Sequence, residues 1–180
     1  MSEPAFWAVV PAAGVGSRMG GETPKQYLSL AGRPVLEHSL QRLLDHPAIE
    51  RVLVAISAHD SRWRRCVLSS HPRVRQITGG KERCHSVLNA LRSLQQDAAP
   101  EDWVLIHDAA RPCLRRADLD RLLEELSGDP VGGVLAVPLH DTLKRAGPAG
   151  EVLETLPREQ LWRALTPQMF RLASLLPAME

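Results

Sequence analysis

Short apolar runs rich in valine and isoleucine recur along the chain at 7–11, 52–56, 74–77, 104–106 and 134–137, each of a length suited to a buried strand. Between them the period changes to that of a helix. Leu36, Leu40, Leu43 and Leu44 share a face behind Pro34, a residue suited to a first helical position. Val87, Leu88, Leu91 and Leu94 repeat the pattern, and Leu119, Leu122, Leu123 and Leu126 complete an i, i+3, i+4, i+7 stripe. Segment 61–69 also reads as helical, although Trp63 and its neighbouring arginines leave the buried face unassigned. Alternating strands and helices predict an α/β fold, with a mostly parallel sheet covered by helices on both faces.

The pattern changes after Pro138. Residues 139–162 are polar, contain Gly147, Pro148 and Gly150, and have short flanks at 142–144 and 151–153. This predicts a hairpin arm over about 139–160 and not another crossover. An arm that cannot bury itself invites a partner subunit, so a homodimer is expected. From Phe170 a helical pattern begins and runs to Glu180 without a cap, and the chain reads as cut short.

At 180 residues, 44% of them hydrophobic, the chain can bury one substantial core and is read as a single domain. The 22 basic and 21 acidic side chains leave a formal net charge of +1, which argues for neither nucleic acid nor an anionic membrane as partner. Any anion must therefore be met by local charge. Cys66, Cys84 and Cys113 lack the close pairing of zinc or thioredoxin-like sites and read as reduced thiols, and no apolar run has the length of a membrane span. A cytoplasmic location is expected.

Three segments carry candidate chemistry. Directly after the first strand, Pro11-Ala12-Ala13-Gly14-Val15-Gly16-Ser17-Arg18-Met19-Gly20 is a small-residue loop whose backbone N–H groups can approach phosphates. It is not a dinucleotide loop, because Met19 stands where a third glycine is needed and no acidic residue closes the second strand. No Gly-Lys-Ser/Thr follows, which excludes the Walker pattern. Arg18, with Lys25 in Pro24-Lys25-Gln26-Tyr27, could neutralise charge growing on an α-phosphate; the plainer reading is two solvated surface cations.

At the end of the third strand, Gly79-Gly80-Lys81-Glu82-Arg83-Cys84-His85-Ser86-Val87 lies where an open parallel sheet forms its ligand crevice. Paired glycines let a base lie against backbone, and Ser86 could hydrogen-bond it, unless the segment is an ordinary turn with Ser86 exposed. His85 is assigned to the surface or a local contact, since no second histidine or cysteine stands at metal-ligand spacing. The third segment, His107-Asp108-Ala109-Ala110-Arg111-Pro112, sets a carboxylate at the end of a central strand. Asp108 suits a magnesium ion bridging phosphate oxygens, in preference to a role as a helix cap, and Arg111 suits a second phosphate.

Taken in order with Asp141-Thr142-Leu143-Lys144 and Leu161-Trp162-Arg163-Ala164-Leu165-Thr166-Pro167-Gln168, these segments resemble the 2-C-methyl-D-erythritol 4-phosphate cytidylyltransferases of the non-mevalonate isoprenoid pathway. The resemblance runs from about residue 7 to the end and implies a Rossmann-like nucleotidyltransferase fold with a protruding β-arm. It implies that Arg18 and Lys25 act on the transition state, that Asp108 holds Mg2+, and that Ala12, Ala13 and Gly14 hold phosphates and ribose. Gly80 and Ser86 would select cytosine. The polyol phosphate would meet Arg111 and, from the partner's arm, Thr142 and Arg158, with Thr166 nearby.

The implied reaction is attack of the substrate phosphate on CTP, releasing pyrophosphate, with no covalent intermediate and no general base. The pattern is departed from at Lys81, where the family often has an acidic residue, so base recognition there is expected to differ in detail. Family members also continue with a second metal-side aspartate and a phosphate-orienting lysine. If these 180 residues are the whole protein, weak or absent activity with surviving CTP binding is expected. The competing readings are a ribitol 5-phosphate cytidylyltransferase, a non-catalytic CTP-binding or dimerisation module, and, least favoured, an NAD-linked oxidoreductase.

Overall fold

The computed structural model describes residues 3–14 and 23–180. In chain order it contains strand β1 (Phe6–Pro11), a 3-10 turn at Lys25–Tyr27, and a small hairpin of β2 (Ser29–Leu30) and β3 (Arg33–Pro34). Helix α1 (Val35–Leu44), β4 (Ile49–Ile56), β5 (Val74–Thr78), α2 (Arg83–Leu94), β6 (Trp103–Ile106), α3 (Arg116–Leu126) and β7 (Gly132–Pro138) follow. The chain then forms β8 (Leu143–Ala146), β9 (Val152–Leu156), β10 (Trp162–Arg171) and α4 (Leu172–Met179).

The main sheet has the order β5-β4-β1-β6-β10-β7. Strands β5, β4, β1 and β6 pair in parallel, and β10 runs antiparallel to both β6 and β7. The near-continuous apolar runs follow from this position. Val9, in the middle of β1, pairs with Leu53 on one side and Ile106 on the other, and Ala8, Val9 and Val10 are all fully buried. Successive residues point to opposite faces. Ala8, Val10, Val52 and Val54 meet Leu36, Leu40 and Leu43 of α1 and Leu119 and Leu122 of α3. Trp7, Val9, Leu53 and Val104 meet Val87, Leu91 and Leu94 of α2 and Leu172 of α4. Each helical stripe read from the sequence thus covers one side of the sheet.

Two expectations are corrected. Segment 61–69 is not one helix but two 3-10 turns, Trp63–Arg65 and Val67–Ser70, separated by Cys66 in an extended conformation. The cause lies outside the segment. The N–H of Val67, which a continuing helix would use, donates to the buried carboxylate of Glu37 on α1, while Asp60 Oδ1 accepts from Arg62 and Trp63 and fixes the first turn. Trp63, only 2% exposed, supplies the buried anchor.

The second correction concerns residues 162–171, which form a strand inserted between β6 and β7; the helix expected from Phe170 begins only at Leu172. A proline inside a run argues against a central strand, and here it sits in an irregularity. The β10–β7 register shifts between Ala164 and Gln168, and the Thr166–Pro167 peptide bond within it is cis. The arm is the antiparallel pair β8–β9, with Val152 and Leu153 exposed.

Candidate active site

Three loops meet at the carboxyl ends of the parallel strands, where such a sheet opens into a crevice. The first leaves β1 through Ala12, Ala13 and Gly14. It is held from below: Ala12 N–H donates to the Ala55 carbonyl at 2.8 Å, and the buried Gln26 donates its amide to the carbonyls of Ala12 and Gly14, each at 2.8 Å. Gln26 thus fixes the path by which the chain enters the glycine-rich loop, a role that its place beside Lys25 in the sequence does not announce. Lys25 opens the 3-10 turn and is exposed. Arg18 lies outside the described residues.

The second loop joins β5 to α2, and its glycines are required by packing. A Cβ on Gly79 would lie 2.4 Å from that of Ala13, and one on Gly80 would lie 2.3 Å from that of His85. The first and second loops therefore touch. Ser86 is 2% exposed, so it is not the solvent-facing serine of an ordinary turn. Its Oγ accepts the Gly80 N–H at 3.0 Å and donates to the Glu82 carbonyl at 3.2 Å, which shapes the backbone on which a base would rest. His85 is exposed as expected, yet donor atoms of Glu82, Cys84 and His85 lie within 4.8 Å of one another. All three are exposed at the N-terminus of α2, Glu82 as its N-cap, where the helix dipole opposes a cation, and the cluster supports no metal reading.

The third loop follows β6. Asp108 does not cap α3, whose N-cap is Arg115. Its Oδ1 accepts from Arg83 Nε at 3.0 Å and its Oδ2 from Arg111 Nε at 2.9 Å, so one carboxylate lies between two guanidiniums. Burial pushes its pKa up, but Arg83 and then Arg111 outweigh that and hold it below the usual carboxylate range. Nothing in its motif assigns Arg83 to Asp108; only the fold brings the start of α2 to the end of β6.

Behind Asp108 lies a hydrogen-bond chain. Its backbone N–H donates to Thr166 Oγ1 at 3.3 Å, which is 3.0 Å from His107 Nδ1, and His107 Nε2 is 3.0 Å from the Arg111 carbonyl. Burial pushes the His107 pKa down, against the opposing pull of the Arg111 carbonyl and the Asp108 carboxylate. Thr166 reaches this place because β10 carries it back beside β6. Thr142 and Arg158 lie instead on the exposed arm, where Arg158 Nη1 donates to the His140 carbonyl at 2.6 Å. The structure thus joins Asp108, Arg111 and Thr166 and leaves Thr142 and Arg158 on the arm.

These loops can cradle an anionic nucleotide on backbone and offer cations around its phosphates. The family model for 2-C-methyl-D-erythritol 4-phosphate cytidylyltransferase matches residues 6–180. A protein of that name from Pseudomonas putida (strain W619) is 59% identical over 173 residues, covering 96% of this chain and 74% of the relative. One from Pseudomonas fluorescens (strain Pf0-1) is 57% identical over 175 residues, covering 97% and 74%. Among solved structures, a 4-diphosphocytidyl-2C-methyl-D-erythritol synthase superposes with a TM-score of 0.83 at 36% identity, covering 98% of this chain and 79% of that one. The Francisella tularensis 2-C-methyl-D-erythritol 4-phosphate cytidylyltransferase gives 0.83 at 33% identity, covering 97% and 76%. On its fold, its loops and these matches, the chain belongs to the 2-C-methyl-D-erythritol 4-phosphate cytidylyltransferase family.

Proposed function

We propose that the protein joins CTP and 2-C-methyl-D-erythritol 4-phosphate, giving 4-diphosphocytidyl-2-C-methyl-D-erythritol and pyrophosphate. Family membership names the reaction, and the observation that carries it onto this chain is that the start of α2 and the loop after β6 meet at Asp108, while the loop after β1 touches the β5–α2 loop at Gly79. A phosphate oxygen of the polyol attacks the α-phosphorus of CTP in line, and the bond from that phosphorus to the pyrophosphate oxygen breaks. The attacking oxygen is already anionic, so no base is needed, and positioning with charge neutralisation supplies the rate.

The residues divide this work. Backbone at Ala12, Ala13 and Gly14 cradles phosphates and ribose, and Gly80 with Ser86 presents the surface that reads cytosine. Arg18 and Lys25 neutralise charge developing on the α-phosphate. Arg111, with Thr142 and Arg158 of a partner's arm, binds the polyol phosphate, and Thr166 lines that side of the crevice. Asp108 would hold a magnesium ion, a hard carboxylate with phosphates being the donor set this ion prefers, once Arg83 and Arg111, which take its two oxygens in this structure, turn to the phosphates. Bound there, the ion would neutralise phosphate charge. Support for a dimer comes from exposed Val152, Leu153 and Trp162 on and beside the arm. A cytoplasmic setting fits three free cysteines, and among the described residues no helix is long and apolar enough to cross a membrane.

The test is pyrophosphate release from CTP and magnesium with 2-C-methyl-D-erythritol 4-phosphate, beside ribitol 5-phosphate, with CTP binding followed by calorimetry. Release with the erythritol substrate is expected, reduced about 100- to 1,000-fold in Arg18→Ala. Faster release with ribitol 5-phosphate, or no CTP binding, would overturn the reading.

A further inference from the structure

Lys25 stands on a turn too short to hold its own shape. In the Lys25–Tyr27 3-10 turn the Tyr27 N–H donates to the Pro24 carbonyl at 2.8 Å and the Leu28 N–H to the Lys25 carbonyl at 3.3 Å, with no side-chain cap. A run of this length has no cooperative stability of its own. Its placing comes from the two side chains that follow Lys25. Gln26 ties the turn to the carbonyls of Ala12 and Gly14. Tyr27 ties it to a different part of the molecule. Its half-buried ring packs against the core on the α1 face of the sheet, and its hydroxyl donates to Asp60 Oδ2 at 2.8 Å. The direction of that bond is settled, because a carboxylate only accepts. Burial, then the bond to Asp60, also raises the pKa of the phenol and keeps its hydrogen in place. Asp60 is held in turn: its Oδ1 accepts the N–H of Arg62 at 2.8 Å and of Trp63 at 3.1 Å, and Trp63 is buried. A phenylalanine at 27 would bury its ring as well; only the hydroxyl joins the turn to Asp60.

We infer that Tyr27 and Asp60 are positioning residues for Lys25, whose stem leaves the turn where their hydrogen bond and the Gln26 anchor together fix it, in line with the charge developing on the α-phosphate. The inference rests on the role proposed above for Lys25 and deepens it. Lysine carries its charge on a flexible four-carbon stem, so the turn beneath must supply the precision that the side chain lacks. A displacement of about 1 Å can cost about 100-fold in rate.

The experiment is steady-state kinetics on the full chain, joined to nitrogen relaxation of the Lys25 amide in the nucleotide-free protein. Tyr27→Phe should lower kcat about tenfold and leave KM for CTP and for the polyol phosphate within about twofold, since the lysine acts on the transition state. Added to Lys25→Ala, the same change should cost nothing further. Asp60→Ala should lose as much kcat as Tyr27→Phe. Asp60→Asn should recover most of it, because its amide can donate to the phenol oxygen while its carbonyl keeps the two N–H groups. The order parameter at Lys25 should fall in Tyr27→Phe from the value of about 0.85 expected of rigid backbone. An unchanged kcat in Tyr27→Phe, a rise in KM in place of the loss in kcat, or an equal loss in the Lys25→Ala background would overturn the inference. If Asp60→Ala fails to fold, Tyr27→Phe, which keeps the ring, still decides it. If the wild-type chain binds CTP but turns over neither polyol, the functional reading falls by itself, and equal order at Lys25 in the wild type and Tyr27→Phe would overturn the positioning.

Discussion

The crevice loops and the β8–β9 arm use the same kinds of residue to opposite ends. At the crevice, polar groups are satisfied internally: Gln26 serves two carbonyls, Ser86 serves Gly80 and Glu82, and Asp108 takes two guanidiniums. On the arm, Lys144 meets Thr155 and Arg145 meets Glu154 across an exposed ladder, while Val152 and Leu153 are left uncovered. One region is held by the core beneath it. Among the described residues the other pairs only strand to strand with itself, and an isolated hairpin is marginal in water. A preorganised surface therefore belongs to the first, and an uncovered surface with exposed apolar side chains to the second.

The sharpest way to test this contrast is a pair of leucines. Leu53 is fully buried in β4 and Leu153 is 58% exposed in β9. Leu53→Ala should destabilise the protein by about 2–5 kcal/mol in urea unfolding. Leu153→Ser should leave monomer stability within about 0.5 kcal/mol while weakening any dimer, as sedimentation would show. A large stability loss from Leu153→Ser at concentrations where the protein is monomeric would erase the distinction.

Gln26→Ala strips the Ala12 and Gly14 carbonyls of their donor and should cost about 1–3 kcal/mol. It should also weaken CTP binding, because the loop loses its fixed entry. Gly79→Ala forces a contact of 2.4 Å with the Ala13 Cβ and should cost a similar amount, about 1–3 kcal/mol, again with loss of CTP affinity in calorimetry. Normal affinity in both variants would mean that the crevice is less preorganised than its hydrogen bonds imply.

The smallest effect expected is at alkaline pH. Burial, then the nearby Glu37 and Asp60 carboxylates, push the Cys66 thiol from 9.0 up to about 11. Burial, then the hydrogen bond to Asp60 and its charge, push the Tyr27 hydroxyl above its ordinary 10.0. Both groups are raised in the folded state, so the unfolded chain loses these protons first and stability falls as pH rises. The urea midpoint should hold up to about pH 9, fall between 9 and 11 as Cys66 is drawn in, and go on falling above 10 for Tyr27. Tyr27→Phe should flatten the profile above pH 10, and an unchanged slope would remove Tyr27 from the account.

The sequence by itself determined the parallel strands, the helices on both faces and the ordered loop motifs. These are local properties: apolar period, small residues where backbone must approach a ligand, and turn residues where the chain reverses. The β10 insertion was not legible, because its pairing depends on partners far along the chain and its proline argues against a strand. For the same reason 61–69 read as a helix. Nothing within that segment announces that the Glu37 carboxylate will take the Val67 N–H. The partners of Arg83, His107 and Gln26 are hidden within their motifs, since a side chain's partner is set by tertiary distance and not by spacing. Only the folded chain could place Arg83 on Asp108 and Thr166 against His107, because those pairs meet across strands and helices whose arrangement is decided by burial of the whole core.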